Sequence, residues 1–446
     1  MGLPTARGVA ADVLVRVTKD AAFAAAALDA ELERAVQLAP RDRALATELV
    51  YGTLRYHRWL ETRLAKHASR GLGGLDVRVR AILLVAAYQI LVLERVPAFA
   101  AVNEAVSLAR ATKGGGARVS GFVNAVLRKL TNEARPNKEE LARAAMASAD
   151  RFIVEALVRS LGREGARRLF GEGETRPPPA GLRVEEPRAR DEWVARLREA
   201  RPDATFETGS LSPHAILAWG AGRLVDLPGY AEGAWTPQEQ GSQVIALALE
   251  AQPGDVVLDA CAGRGNKTGL LARRVAPTGA VDAADLHASK LVRLREELAR
   301  IGQRPRETHA VDWSVGTADV AGPYDRVLVD APCSGTGTLR RRPEILLRRS
   351  ETDLASLAAL QRSVLSRAAT LVKPGGRLVY AVCSVLREEA EEVVALAPEL
   401  GLSADRPSFR LGGGGTAPEK VGEETGAESD GYFVASFVAD KRGRLE

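Results

Sequence analysis

Val257-Leu258-Asp259-Ala260-Cys261-Ala262-Gly263-Arg264-Gly265-Asn266-Lys267-Thr268 reads as a short strand, a glycine-containing loop and the start of a helix. The β-rich run Val256–Ala260 leads into the loop, and a helix follows through Arg274. Glycines at 263 and 265 let the backbone approach a ligand closely. The spacing is not the dinucleotide pattern Gly-x-Gly-x-x-Gly. Nor is it the phosphate loop, because Asn266, not Gly, stands directly before Lys267.

Working outward from this loop, strands and helices alternate. Ala280–Asp285 reads as a second strand, followed by a helix around Ser289–Ile301. His309–Val311 and Arg326–Ala331 read as the third and fourth strands. A long helix fits Asp353–Val372, Pro374-Gly375-Gly376 makes a turn, and Arg377–Val382 is a fifth strand. Tyr432–Val438 reads as the last, with a Gly- and Glu-rich loop over Leu411–Ser429 before it. Strand, crossover helix, strand predicts α/β architecture with a parallel, doubly wound sheet. We assign this Rossmann-like domain to residues 236–446. Ligands of such sheets bind at the carboxyl ends of the strands, near the switch point.

Upstream, residues 1–140 carry apolar residues at helical spacing, in Ala10–Val17, Leu45–Leu54, Ile82–Leu93 and Val102–Leu108. An all-α domain is expected. Arg43, Arg55, Arg58, Arg118 and Arg128 lie at its helix edges and either face solvent or contact RNA phosphates. Residues 141–235 read as a small α/β module. It has helices at Glu139–Ala147, Phe152–Leu161 and Asp191–Ala200 and a stiff connector at Arg176-Pro177-Pro178-Pro179, but its strand pairing is not assignable.

The 446 residues are 46% hydrophobic and 27% charged, which excludes a disordered or collagen-like chain. Net charge is +5, and Arg outnumbers Lys about five to one. Arg suits phosphate and base edges. GC-rich coding favours Arg and Ala too, so charge alone only hints at nucleic acid. Ala81–Leu93 is too short for a membrane span. No secretory leader is legible at the start, so a cytoplasmic protein is expected. Three cysteines, Cys261, Cys333 and Cys383, without a CxxC pair, argue against a disulfide framework and a zinc site. No metal and no membrane partner are expected, and a monomer is.

Three acids follow strands. Asp285 ends the second, where an acid can accept two ribose hydroxyl bonds. Asp312 follows the third, and Asp330 ends the fourth. Each alone also reads as a helix cap or turn residue; three at successive strand ends suggest a nucleoside site. The fourth strand runs into Asp330-Ala331-Pro332-Cys333-Ser334-Gly335-Thr336-Gly337, and the fifth into Ala381-Val382-Cys383-Ser384. A free Cys is most often a small buried hydrophobe. These two stand instead beside Ser and Gly at strand ends that face one crevice. Such a pair fits chemistry at pyrimidine C5. A thiolate adds to C6, C5 then attacks a methyl sulfonium, and protonation at N3 stabilises the charge developing on the ring.

With these residues in view, the chain resembles the RNA cytosine-C5 methyltransferases. The likeness lies in Cys261–Thr268, in Asp330–Gly337 with Arg340-Arg341-Arg342-Pro343-Glu344, and in Val382-Cys383-Ser384-Val385-Leu386. It extends to Gln238–Gln243 and to Asp430-Gly431-Tyr432-Phe433. Near the start, Asp42-Arg43, Glu48–Arg55, Ala101–Glu104 and Gly121–Arg128 are similar to the NusB-like domain fused in the bacterial branch that acts on small-subunit ribosomal RNA. The resemblance implies S-adenosylmethionine as cofactor and a single cytosine of 16S ribosomal RNA as target. It implies Cys383 as nucleophile, Cys333 in product release and Asp330 bonded to the base. It also implies cofactor binding by Cys261, Ala262, Gly263, Arg264, Gly265, Asn266, Lys267, Asp285 and Asp312, with Asp330. Cys333 is the rival nucleophile, because the DNA enzymes use the Pro-Cys thiol. The chain departs from the family pattern in two places, the first loop and the residue before Cys383. Gly263, Arg264 and Asn266 replace Ala, Pro and a second Gly, with Asn expected to tolerate a left-handed backbone as Gly does. Val382 replaces Thr. The alternatives are a non-catalytic NusB-like RNA-binding or assembly factor and an enzyme acting on transfer RNA.

Overall fold

The computed structural model describes residues 4–69, 71–170, 177–412 and 429–440. By internal contacts the chain forms two units. One runs to Glu155 and takes in Phe170–Glu172 and Leu339–Arg349; the other holds Ala156–Leu169, Gly173–Thr338 and the chain from Ser350.

The first unit is helical, as its periodicity predicts. Its helices are Ala6–Lys19, Ala24–Arg34, Pro40–Arg55, His57–Ala65, Val77–Leu91, Ala98–Ala111, Ala117–Leu130 and Lys138–Ala147. Val77–Leu91 is central: Val79 and every residue from Ala81 to Leu91 are buried. A helix apolar all round belongs inside a bundle. Among the described residues no helix is long and apolar enough to cross a membrane. Asp76 starts this helix by accepting the Arg78 and Val79 N–H groups at 2.9 and 3.2 Å. Arg7 bonds Gln89 and Glu104, each at 2.6 Å, which fixes the first helix on two others. Of the five edge arginines, four are engaged within the protein, Arg128 by an exposed bond to Asn124 Oδ1 at 3.2 Å. Arg43 donates to the Leu32 carbonyl at 2.9 Å, Arg55 to the Arg340 carbonyl at 3.0 Å, and Arg58 pairs with Asp150. Arg118 and Arg128 are exposed. Glu344, from Leu339–Arg349, is buried and accepts the Ala24 N–H at 3.3 Å.

The second unit holds two sheets. The smaller is antiparallel, ordered β2-β3-β1-β4, from β1 (Ala180–Val184), β2 (Thr205–Thr208), β3 (Ala215–Trp219) and β4 (Trp235–Pro237). The larger has a parallel core: β5 (Val256–Asp259), β6 (Ala280–Asp285), β7 (Thr308–Ala310), β8 (Tyr324–Asp330) and β9 (Val372–Val382). β10 (Leu402–Ala404), β11 (Phe409–Leu411) and β12 (Tyr432–Ala439) extend it in antiparallel fashion. The order β10-β12-β9-β8-β5-β6-β7 reverses direction between β5 and β8. That is the switch point, so the α/β expectation holds. Pro374-Gly375-Gly376 sits inside β9 rather than in a separate turn, opposite a register irregularity at Tyr324–Arg326. The expected helix over Phe152–Leu161 continues to Leu169 across a kink at Gly162, whose φ is +72°. Residues 413–428 of the Gly- and Glu-rich loop, and Arg176 of the connector, lie outside the described residues.

Candidate active site

The loop after β5 opens the helix Asn266–Val275, with Gly265 as its left-handed N-cap at φ +90°. A Cβ on Gly265 would lie 2.7 Å from the Leu294 side chain, so only Gly fits. Gly263 has φ +57° and a Cβ there would meet nothing within 4 Å, so the backbone borders open space. Asn266 corrects an expectation: it is the first helical residue, not a left-handed one. Its side chain explains its presence, since Nδ2 donates to the Pro237 carbonyl at 3.1 Å. Arg183 of β1 donates to the Asn266 carbonyl from the same side. Arg183 is fully buried and also bonds Gln238 Oε1 and Glu185 Oε1, each at 2.6 Å. Burial lowers its pKa, against the Glu185 charge. Gln243 Nε2 in turn donates to the Gln238 carbonyl at 2.9 Å, which places the Gln238–Gln243 motif behind the loop. Arg264 is exposed on the loop.

Asp285 is buried at the end of β6 and accepts the Gly263 N–H at 3.1 Å and the His287 N–H at 2.9 Å. Lys290 pairs with it at 3.2 Å. The carboxylate therefore shapes the loop by its own bonds. Ala262 is buried, and its N–H donates to the Ala284 carbonyl at 2.8 Å, continuing the strand contact. Asp312 stands two residues past β7, exposed. Ser314 donates to it from Oγ at 2.6 Å and from the backbone at 2.9 Å, which lowers its pKa. It is thus also a turn former. The indole of neighbouring Trp313 donates to the Ala260 carbonyl at 2.7 Å.

Asp259, at the end of β5, is buried, and burial pushes its carboxyl up to about 7 although the Thr268 hydroxyl donates to it at 2.7 Å. The Cys261 thiol is pushed well above its ordinary range by burial and by the nearby acids Asp259, Asp330 and Asp285.

β8 and β9 are parallel neighbours with Asp330 opposite Ala381. Their following loops bring Cys333 Sγ and Cys383 Sγ to 3.2 Å. The bond to Cys383 and burial push the Cys333 thiol well above its ordinary range. Lys267 reaches across from the first loop and bonds Asp330 Oδ2 at 2.6 Å. Burial opposes a charge on Lys267, but the Asp330 carboxylate outweighs it and raises the pKa. So the three motifs singled out in the sequence meet at one edge of the sheet. Gly337 explains part of their length: a Cβ on it would overlap the Gly431 carbonyl at 1.8 Å. That close approach lets Gly337 N–H reach the Cys383 carbonyl at 3.0 Å, and Gly431 N–H the Gly337 carbonyl at 2.8 Å.

Two buried residues beneath the site escape sequence reading: Arg183, described above, and Glu389. Glu389 follows β9 in a short turn and is fully buried. It bonds the serines next to both cysteines.

Residues 246–437 match the family model for the 16S rRNA methyltransferases RsmB/F, and residues 4–132 that of the NusB family. The ribosomal RNA small subunit methyltransferase B of Enterobacter sp. (strain 638) is 33% identical over 411 residues, covering 91% of this chain and 92% of that one. The chain belongs to the RsmB/F methyltransferase family. A probable ribosomal RNA small subunit methyltransferase B of Synechocystis is 32% identical, covering 81% of this chain and 83% of that one. Among solved structures, PH0851 matches with a TM-score of 0.78 at 22% identity, over 98% of this chain and 99% of that one. NSun6 from Pyrococcus horikoshii, solved with SFG, matches at 0.54 and 18%, over 66% and 99%. The two structural matches share the fold. Methyltransferases of the RsmB/F family use S-adenosylmethionine. The β5 loop fits such a group: its Gly263 backbone borders open space at the switch point.

Proposed function

We propose that this protein forms 5-methylcytosine in 16S ribosomal RNA through a covalent bond between Cys383 and cytosine C6. The observation that carries the reading is the pair of sulfurs 3.2 Å apart, beside the Asp330–Lys267 ion pair, at the carboxyl edge of the sheet. The bond to Cys383 and burial disfavour a thiolate on Cys333, and the resemblance to the RNA enzymes gives the attack to Cys383.

Residues 261–267, with Asp285 and Asp312, would hold S-adenosylmethionine, which supplies an electrophilic methyl group. The Cys383 sulfur bonds C6 and drives electron density onto C5. The Asp330 carboxylate accepts from the exocyclic amino group of the cytosine, and the Lys267 ammonium that it holds stabilises the negative charge that develops on the ring. Once C5 has received the methyl group, the C5 proton passes to the Cys333 sulfur, whose own proton goes to the Cys383 thiolate as the sulfur–C6 bond breaks. The target cytosine must leave its stack to reach the cleft, as in other base-modifying enzymes. Residues 1–140, and the small sheet within 141–235, would supply salt-dependent contacts to RNA phosphates around it. Residues 236–446 carry the chemistry.

The test is bisulfite mapping of 16S ribosomal RNA from a strain lacking the gene, incubated with purified protein and S-adenosylmethionine. One cytosine becomes protected with wild-type protein, and none with Cys383→Ala. Undiminished protection by Cys383→Ala would move the nucleophile to Cys333.

A further inference from the structure

Glu389 has no place in the chemistry above, yet it is among the most tightly engaged side chains of the catalytic unit. It is fully buried, and it accepts four hydrogen bonds. Oε1 accepts the Ser334 backbone N–H at 2.7 Å and Gln361 Nε2 at 3.0 Å. Oε2 accepts the Ser334 hydroxyl and the Ser384 hydroxyl, both at 2.5 Å. Two oxygens with about four lone-pair sites meet four donors, so a buried carboxylate is satisfied by neutral donors alone. An amide cannot accept at both positions: its NH2 group would face the two serine hydroxyls, which would have to turn and accept, giving up the donors they supply to Oε2.

The identity of the partners matters as much as their number. Ser334 follows Cys333, and Ser384 follows Cys383. One carboxylate oxygen therefore binds the residue next to each sulfur. Around it, Thr336 Oγ1 and Ser384 Oγ bond at 3.0 Å, and Gln361 also donates to the Pro332 carbonyl at 2.9 Å. Glu389 is itself anchored, because the Tyr380 hydroxyl of β9 donates to its backbone carbonyl at 2.7 Å. Parallel pairing of β8 and β9 ends at Asp330–Ala381, before either cysteine. Beyond that point the sheet ladder no longer sets the spacing of the two loops, and the Glu389 network takes over.

We propose that Glu389 is a positioning residue for methyl transfer, a buried clamp that holds the Cys333 and Cys383 loops with their sulfurs in reacting distance. The proposal rests on the reading of the two thiols as the reactive pair. It adds a fourth carboxylate to Asp285, Asp312 and Asp330, one that touches neither substrate nor cofactor.

The experiment measures Glu389→Gln in two ways. Methyl transfer to 16S ribosomal RNA should lose about 100-fold in kcat, the scale expected when a reacting group is misplaced by about 1 Å. KM for RNA and affinity for S-adenosylmethionine should stay as in wild type, since neither ligand touches Glu389. Separately, diamide oxidises the two thiols to a Cys333–Cys383 disulfide, with loss of two hydrogens that reduce the diamide. The rate of that mass loss should fall at least about tenfold in Glu389→Gln. A structural role alone would lower Tm and leave kcat and the diamide rate of the folded fraction untouched; that result overturns the proposal. Should Glu389→Gln not fold, Ser334→Ala/Ser384→Ala removes one donor from each loop and keeps the carboxylate. Its wild-type kcat and diamide rate would overturn the proposal equally. Activity retained in Cys383→Ala contradicts the thiol reading instead. Loss in Cys383→Ala with full activity in Glu389→Gln contradicts the clamp alone.

Discussion

The loop after β5 and the two loops after β8 and β9 lie at one edge of the same sheet but are held in different ways. The first is buttressed from outside. Arg183 and the Pro237 carbonyl grip Asn266, and Asp285 grips the Gly263 N–H. The second pair is held from beneath by one buried carboxylate and the hydroxyls around it. A loop held through backbone atoms tolerates new side chains. Gly263 is gripped by its backbone N–H alone, whereas Asn266 is gripped by its carbonyl and by its own side chain. A loop pair held through side-chain donors tolerates few changes, and Asp330–Gly337 and Cys383–Ser384 keep the family pattern.

Breaking the buttress should have the larger effect on stability. Arg183→Met removes a fully buried cation from Glu185, Gln238 and the Asn266 carbonyl. Stranding one side of a buried pair costs about 3 kcal/mol. Glu185 keeps Arg273 at 3.2 Å, so a value near the lower end is expected. Urea unfolding measures the loss, and calorimetry should show weaker S-adenosylmethionine binding in the same variant. An unchanged midpoint would mean that the small sheet does not support the loop.

A smaller effect sharpens the comparison through pH. Burial raises the Asp259 carboxyl from 3.8 to about 7, so the folded protein holds a proton that the unfolded chain releases. The stability linked to this group is full below pH 3.8 and is lost as pH rises through about 7. Asp259→Asn cannot release that proton. The Tm of the variant relative to wild type should therefore climb between pH 4 and pH 7 and then level off. A difference independent of pH would show that Asp259 titrates normally.

The order of strands and the three motif loops were legible because parallel strands buried on both faces read as apolar runs closed by Gly, Asp or Pro. β10 and β11 escaped notice because three residues are too few to show alternation. Arg183 was invisible for a different reason. It stands between Leu182 and Val184, where alternation assigns a charged residue to solvent, but β1 is buried on both faces at this point. Glu389 lies in Arg387-Glu388-Glu389, a charge run that reads as surface. Of its two acids, Glu388 does reach an exposed partner, Arg159 at 2.9 Å, whereas Glu389 turns inward. Nothing in the sequence distinguishes the two. The meeting of the two sulfurs was legible, because residues at adjacent strand ends of one parallel sheet face one crevice.

The most direct test of the account uses Cys333→Ser with 16S ribosomal RNA and S-adenosylmethionine, resolved on a denaturing gel. Release is expected to stall, giving a retarded protein–RNA band whose nuclease-trimmed peptide carries the nucleotide on Cys383. A band joined through any other residue, or full turnover with no band, would contradict it.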